Sequence, residues 1–469
     1  MKRLFYVISF VGILLLFPIL LPGQILTPEL YSGDCIEKEN ESYVDTTYRG
    51  LYKSSNGAFH SPHGEIRFLV AFVELIYEGT DVIDPSPNGS ENWPLDTLPI
   101  WKDRLLSPFT PNSISDKHIT KYFQCASSNN HIVLGDYLVA PTNGGVFQVK
   151  TKDGIIKDDT DEDFRNIINA INEQMGDRIV TANGFNSISD FDKWSVSAFG
   201  LEKPNVENGN WDYVVFVVRN SILPENGTGR TGNTVTENLL GHNIDAYAIV
   251  SSNNEIPTHI IRHEYAHKLL GNNNFHTAGG GYGEYLGNYW IPQTGGWGLL
   301  GLYGCSLWCW NAWDRQRLGW IDSTSTYEIS ARNQNGIEVN GDLDATNPED
   351  AGIYVLRDFV TTGDAIRIKL PFINSDNEYQ EWLWIENHQG FNNNNNEFDK
   401  WQFQDFDCVE DFKSGLMIYM QINNDIRVYP NTNEYIYNKK HNYADYTRSL
   451  TANGLWDRDF CWIQSIMTV

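Results

Sequence analysis

Three stretches in the first half of the chain are apolar almost without interruption. They are EIRFLVAFVEL (65–75), DYVVFVVRN (212–220) and AYAIVSS (246–252). β-branched and aromatic residues at nearly every position predict strands covered on both faces, as in a parallel sheet, rather than strands with one wet face. Between them DKHITKYFQCASSNNHIVLGDYLVAP (116–141) predicts helix, turn and strand. DEDFRNIINAINEQMGD (161–177) has the 3.6-residue spacing of an amphipathic helix with acids in its first turn. Strands alternating with helices predict an α/β layer. After residue 320 the pattern changes to short strand-like runs, IYVLRD, AIRIKLP, EWLWIENHQ and GLMIYMQI, separated by Asn, Asp and Gly. That part is expected to be β-rich. The NNNNN run (392–396) is a low-complexity loop.

One helix carries chemistry. In PTHIIRHEYAHKLLGNNNFH (257–276), Pro257 and Thr258 suit a first turn and Gly271 suits the turn that ends it. His263 and His267 are four residues apart, so both positions share one face and two imidazoles can grip one ion. Glu264 stands about 100° round the helix, out of that grip but within reach of a water on the ion. Ile260, Ile261, Ala266, Leu269 and Leu270 cover the remaining faces, and a helix buried on nearly all sides does not carry such polar groups without partners. His259 lies one turn earlier, at a first-turn position. A catalytic zinc takes three protein ligands and leaves one position open. His276 is the expected third ligand, with Asn274 and Glu284 as weaker alternatives.

Composition narrows the setting. Residues 4–21 are almost continuously apolar behind Lys2 and Arg3, and Pro22 and Gly23 break the run, the layout of a secretory signal ending near residue 24. The run is close to the roughly 18–20 residues that span a bilayer, so an uncleaved anchor is the alternative. Residues 25–62 are expected to be an N-terminal arm or short pro-segment, 63–320 the catalytic domain and 321–469 a smaller β-rich domain. The formal net charge of −26 excludes the clustered basic footprint needed for nucleic acid or anionic lipid. No stable membrane insertion is expected apart from the signal segment. The six cysteines, Cys35, Cys125, Cys305, Cys309, Cys408 and Cys461, read in an exported chain as up to three disulfides of open pairing. Cys305 and Cys309 are near enough in sequence to pair across a turn. The alternating Asp159, Asp161 and Asp163 make Ca²⁺ a secondary candidate ligand, against the plainer reading of an acidic helix start.

HEYAH and the segment GGWGLLGLYGCSLWCWNAWDRQRLGWI (295–321) together resemble the metzincin clan, and more closely the immune-inhibitor-A-like secreted metallopeptidases. NAWDRQRLGW (311–320) is the most specific part. EYQEWLWIENHQG (378–390), SGLMIYMQI (414–422) and ITKYFQCASSNNHIVLGDYL (119–138) are also similar to that family. The chain departs from the metzincin spacing: one residue is added before Gly271, and His276 stands five residues beyond it. No methionine lies between the helix and Trp320, so Leu300 or Leu302 would fill the apolar floor under the metal. The resemblance implies a mixed-sheet metzincin-like domain and a secreted zinc endopeptidase acting on protein or peptide substrates. Its ligands would be His263, His267 and His276, with Glu264 as general base and Tyr303 a candidate donor to the oxyanion. The competing expectation is a non-catalytic binding or adhesion protein on a degenerate peptidase scaffold. A zinc hydrolase with a non-peptide substrate is a third.

Overall fold

The computed structural model describes residues 60–152 (apart from 61, 80 and 81), 154, 161–194 (apart from 177), 207–221, 229–252, 256–269, 310–371, 381–388 and 415–422. It also describes the short pieces 8–9, 427–428, 435–436 and 446–449. The protein is mixed α/β, and its chain divides into two compact units, 58–272 and 1–57 with 273–469.

In the first unit the apolar runs are strands. β1 is Gly64–Tyr77, followed by α1 (His118–Ala126), β2 (His131–Tyr137), β3 (Phe147–Thr151) and α2 (Asp161–Met175). β4 is Val214–Arg219, β5 Gly229–Leu239, β6 His242–Ser251 and α3 Thr258–Leu269. The sheet order is β2-β1-β4-β6-β5, and β3 pairs with the far half of β1. Every pairing is parallel except β5 against β6. Alternation along the strands sends neighbouring side chains to opposite faces. On one face Leu69, Ala71, Val73, Val214, Phe216, Val218 and Ile249 pack with Phe164, Ile167, Ile168 and Ile171 of α2. On the other, Phe68 meets Tyr265 of α3 at 4.7 Å between ring centres, and Tyr265 meets Phe123 of α1 at 5.3 Å. The result is a helix–sheet–helix sandwich, which is why the strands carry no polar face.

The second unit is rich in short strands. α4 is Ala312–Leu318, followed by β7 (Ser330–Asn333), β8 (Glu338–Asn340), β9 (Asp342–Asp344), β10 (Ile353–Val355) and α5 (Phe359–Thr362). β11 is Ala365–Lys369, β12 Glu381–His388, β13 Gly415–Ile422 and β14 Tyr446–Ser449. β9, β11, β12, β13 and β14 form one sheet in that order, and β10, β7 and β8 belong to another. Leu343, Ile366, Ile368, Ile385 and Ala331 make its small core.

The NAWDRQRLGW segment reads here as a capped helix. The Asn311 side chain accepts from the Asp314 N–H at 2.7 Å, and Gly319 ends α4 in the left-handed region at φ 65°. Glu386 on β12 then accepts the Ala312 N–H at 2.6 Å, so two stretches singled out separately in the sequence form one unit. Cys125 is a free thiol, and burial pushes its pKa up to about 12. The other five cysteines lie outside the described residues, as do residues 10–21, Asp159 and the NNNNN run at 392–396. Among the described residues no helix is long and apolar enough to cross a membrane.

Candidate active site

α3 follows β6 after six residues and carries the HEYAH motif on a fully formed helix. Its mixed pattern suits a helix held on several sides. Ile260, Ile261, Ala266 and Leu269 are buried, and so are His263 and Glu264. His267 lies on the same helix one turn after His263; its side chain and all of His276 lie outside the described residues, as do Asn274, Glu284, Leu300, Leu302 and Tyr303.

Tyr265 anchors the side of α3 that faces the sheet. Its hydroxyl is 3.0 Å from His131 Nε2, and the two rings stack at 5.9 Å. Tyr213 of the loop entering β4 packs edge-on at 5.1 Å. Burial pushes the Tyr265 pKa well up, helped by Tyr213 and Asp212. Burial pushes His131 down to about 3, with the His63 imidazole acting the same way, so His131 is neutral. On the α1 side the Arg262 guanidinium lies 4.2 Å from the Tyr122 ring centre. These contacts fix the rotation of α3, and therefore the direction in which position 264 points.

Glu264 looks toward β5. A carboxylate stripped of water favours its neutral form, and burial raises the Glu264 pKa from 4.5 to about 8 against the opposing pull of Lys268. Lys268, one turn on, is lowered by burial to about 7 while Glu264 raises it. Among the described residues no hydrogen bond reaches the Glu264 carboxylate. β5 begins beside it: a Cβ added to Gly229 would lie 3.0 Å from Glu264 Oε1.

A buried acid that is not used up by hydrogen bonds, placed next to an imidazole on a rigid helix, has the chemistry of a proton carrier. Two imidazoles spaced i and i+4 are the donor chemistry that suits zinc. Among the described residues no group of three His, Cys, Asp or Glu side chains is placed to hold a metal ion. Two of the three expected imidazole donors are not among the described side chains.

No protein-family model matches the chain, and no curated protein matches it significantly. The functional reading therefore rests on the residues and their geometry.

Two features of the site were not foreseen from sequence. β5 is a polar, glycine-containing strand, GRTGNTVTENL, with no clean alternation to mark it. Gly229 itself could have been found, because a glycine inside a strand often marks a close backbone approach.

Proposed function

We propose that this chain is a secreted zinc-dependent endopeptidase with a metzincin-like catalytic layer and Glu264 as its general base. The observation that carries the reading is the setting of Glu264: buried, free of described hydrogen bonds and next to His263 on α3. His263, His267 and His276 are the residues that would hold Zn²⁺. When bound, zinc supplies Lewis acidity toward a peptide carbonyl and makes water a better nucleophile near neutral pH. Glu264 takes the proton of the attacking water as its oxygen bonds to the carbonyl carbon, then delivers it to the amine nitrogen as the C–N bond breaks. Tyr265 and Arg262 hold α3 in register for that transfer without taking part in it.

A peptide substrate is supported by β5. It is the last strand of its sheet among the described residues and antiparallel to its neighbour, so its outer edge can accept an extended chain as one more strand. The start of that strand, Gly229, lies against Glu264, and an extended chain is a ligand that such an edge suits better than a compact non-peptide ester or amide. The test is metal analysis of the purified chain together with cleavage of denatured casein, comparing wild type with Glu264→Ala. One zinc per chain and cleavage only by wild type support the reading. Equal inactivity of the two proteins favours the binding-protein alternative.

A further inference from the structure

The strand that runs past Glu264 begins with a glycine whose backbone does not require one. Gly229 lies outside the left-handed region, so any L-residue could adopt its conformation. What forbids a side chain there is space. An added Cβ would collide with Cγ2 of Ile260, a buried β-branched side chain, and would sit 3.0 Å from Oε1 and 3.4 Å from Cγ of Glu264. Ile260 cannot swing away as the end of a long chain could, because its χ1 is stiff and its surroundings are packed. Gly229 itself is held on one side by the sheet. It is paired with Val250 at the end of β6, shortly before the chain turns into α3.

We propose that Gly229 is a positioning residue for Glu264. Its bare backbone forms a wall against one side of the carboxylate, restricting that side chain's rotamers and keeping water off that side. The proposal rests on the reading of Glu264 as the general base. A methyl group at 229 would displace the carboxylate by a few tenths of an ångström or push β5 away from α3. Proton transfer is sensitive to such displacements: a misplacement of about 1 Å can lower a rate roughly 100-fold. Binding of an extended peptide along the rest of β5 would be little changed.

The test uses the full chain and fluorescein-labelled casein. Gly229→Ala is expected to lower kcat at least tenfold, with KM within twofold of wild type and one zinc retained per chain. A second variant, Gly229→Ala with Ile260→Ala, removes the collision with the core while leaving the contact with Glu264. Its kcat is expected to stay low. A kcat for Gly229→Ala within twofold of wild type, or recovery of kcat in the double variant, would overturn the proposal. If wild type itself cleaves no peptide, the peptidase reading fails by itself and the visible absorption of the Co²⁺-loaded protein decides about Gly229. Bands altered by Gly229→Ala in the same way as by Glu264→Gln uphold the contact, and bands identical to wild type refute it.

Discussion

Glu264 and Glu386 are both buried glutamates, at 7% and 0% exposure, yet their surroundings differ in kind. Glu386, on β12, accepts from the Ala312 N–H, the Tyr419 hydroxyl and His388 Nε2, the last at 2.8 Å. Tyr419 in turn accepts from the Trp313 N–H at 3.2 Å, so the start of α4 is closed off by one carboxylate and one phenol. Glu264, on α3, has the start of β5 beside it and Lys268 one turn away. Burial alone therefore does not identify a working acid. The distinction lies in whether hydrogen bonds already use its lone pairs: Glu386 is a structural cap, and Glu264 keeps its capacity for a proton or a neighbouring cation.

The sharpest way to break this comparison is Glu264→Gln, which keeps the shape and removes the proposed base. Turnover of casein is expected to fall by roughly 10³-fold while metal analysis still finds zinc. Retained turnover would place the base elsewhere. Glu386→Ala should do the opposite. Leaving the Ala312 N–H, the Tyr419 hydroxyl and His388 without their acceptor is expected to lower stability to urea by about 3 kcal/mol or more, with kcat per folded molecule unchanged.

Those stabilities should be measured above pH 6.5, because His131 brings an acid limb of its own. Its folded pKa is about 3 against an ordinary 6.5, so between those values the unfolded chain binds a proton that the native protein refuses. Its contribution is complete above pH 6.5 and is lost as pH falls toward 3. At pH 5 the loss is about 2 kcal/mol, and denaturation of His131→Phe across that range should show a shallower slope. The smallest effect is expected from Tyr265→Phe, which deletes one hydrogen bond, to His131, and keeps the ring packing. About 1 kcal/mol of stability should be lost, readable in the same urea series. A loss several times larger would mean that the hydroxyl, and not the aromatic packing, sets the rotation of α3.

Much of this organisation is local and so was readable along the chain. Runs such as DYVVFVVRN become strands covered on both faces because the central VVFVV has no side chain suited to water. The i, i+4 spacing of His263 and His267 fixes a shared helix face wherever that helix lies. The capping of α4 was only half readable. Asn311 and Gly319 are residue types that suit a helix start and stop, though they stand out only within the NAWDRQRLGW resemblance, and nothing near them points to Glu386, 74 residues away from Ala312.

β5 shows where local reading fails. Its residues are mostly polar, and its strand geometry comes from the hydrogen-bond ladder that β6 offers, not from its own side chains. The sequence by itself determined β1, β2, β4 and β6 of the first unit, the HEYAH helix and the acid at position 264, since those depend on spacing within a few turns or alternations. Only the tertiary structure decided that the acid is short of hydrogen bonds and lies against Gly229, 35 positions earlier. Desolvation and steric exclusion are properties of what surrounds a group, and those surroundings come from distant parts of the chain.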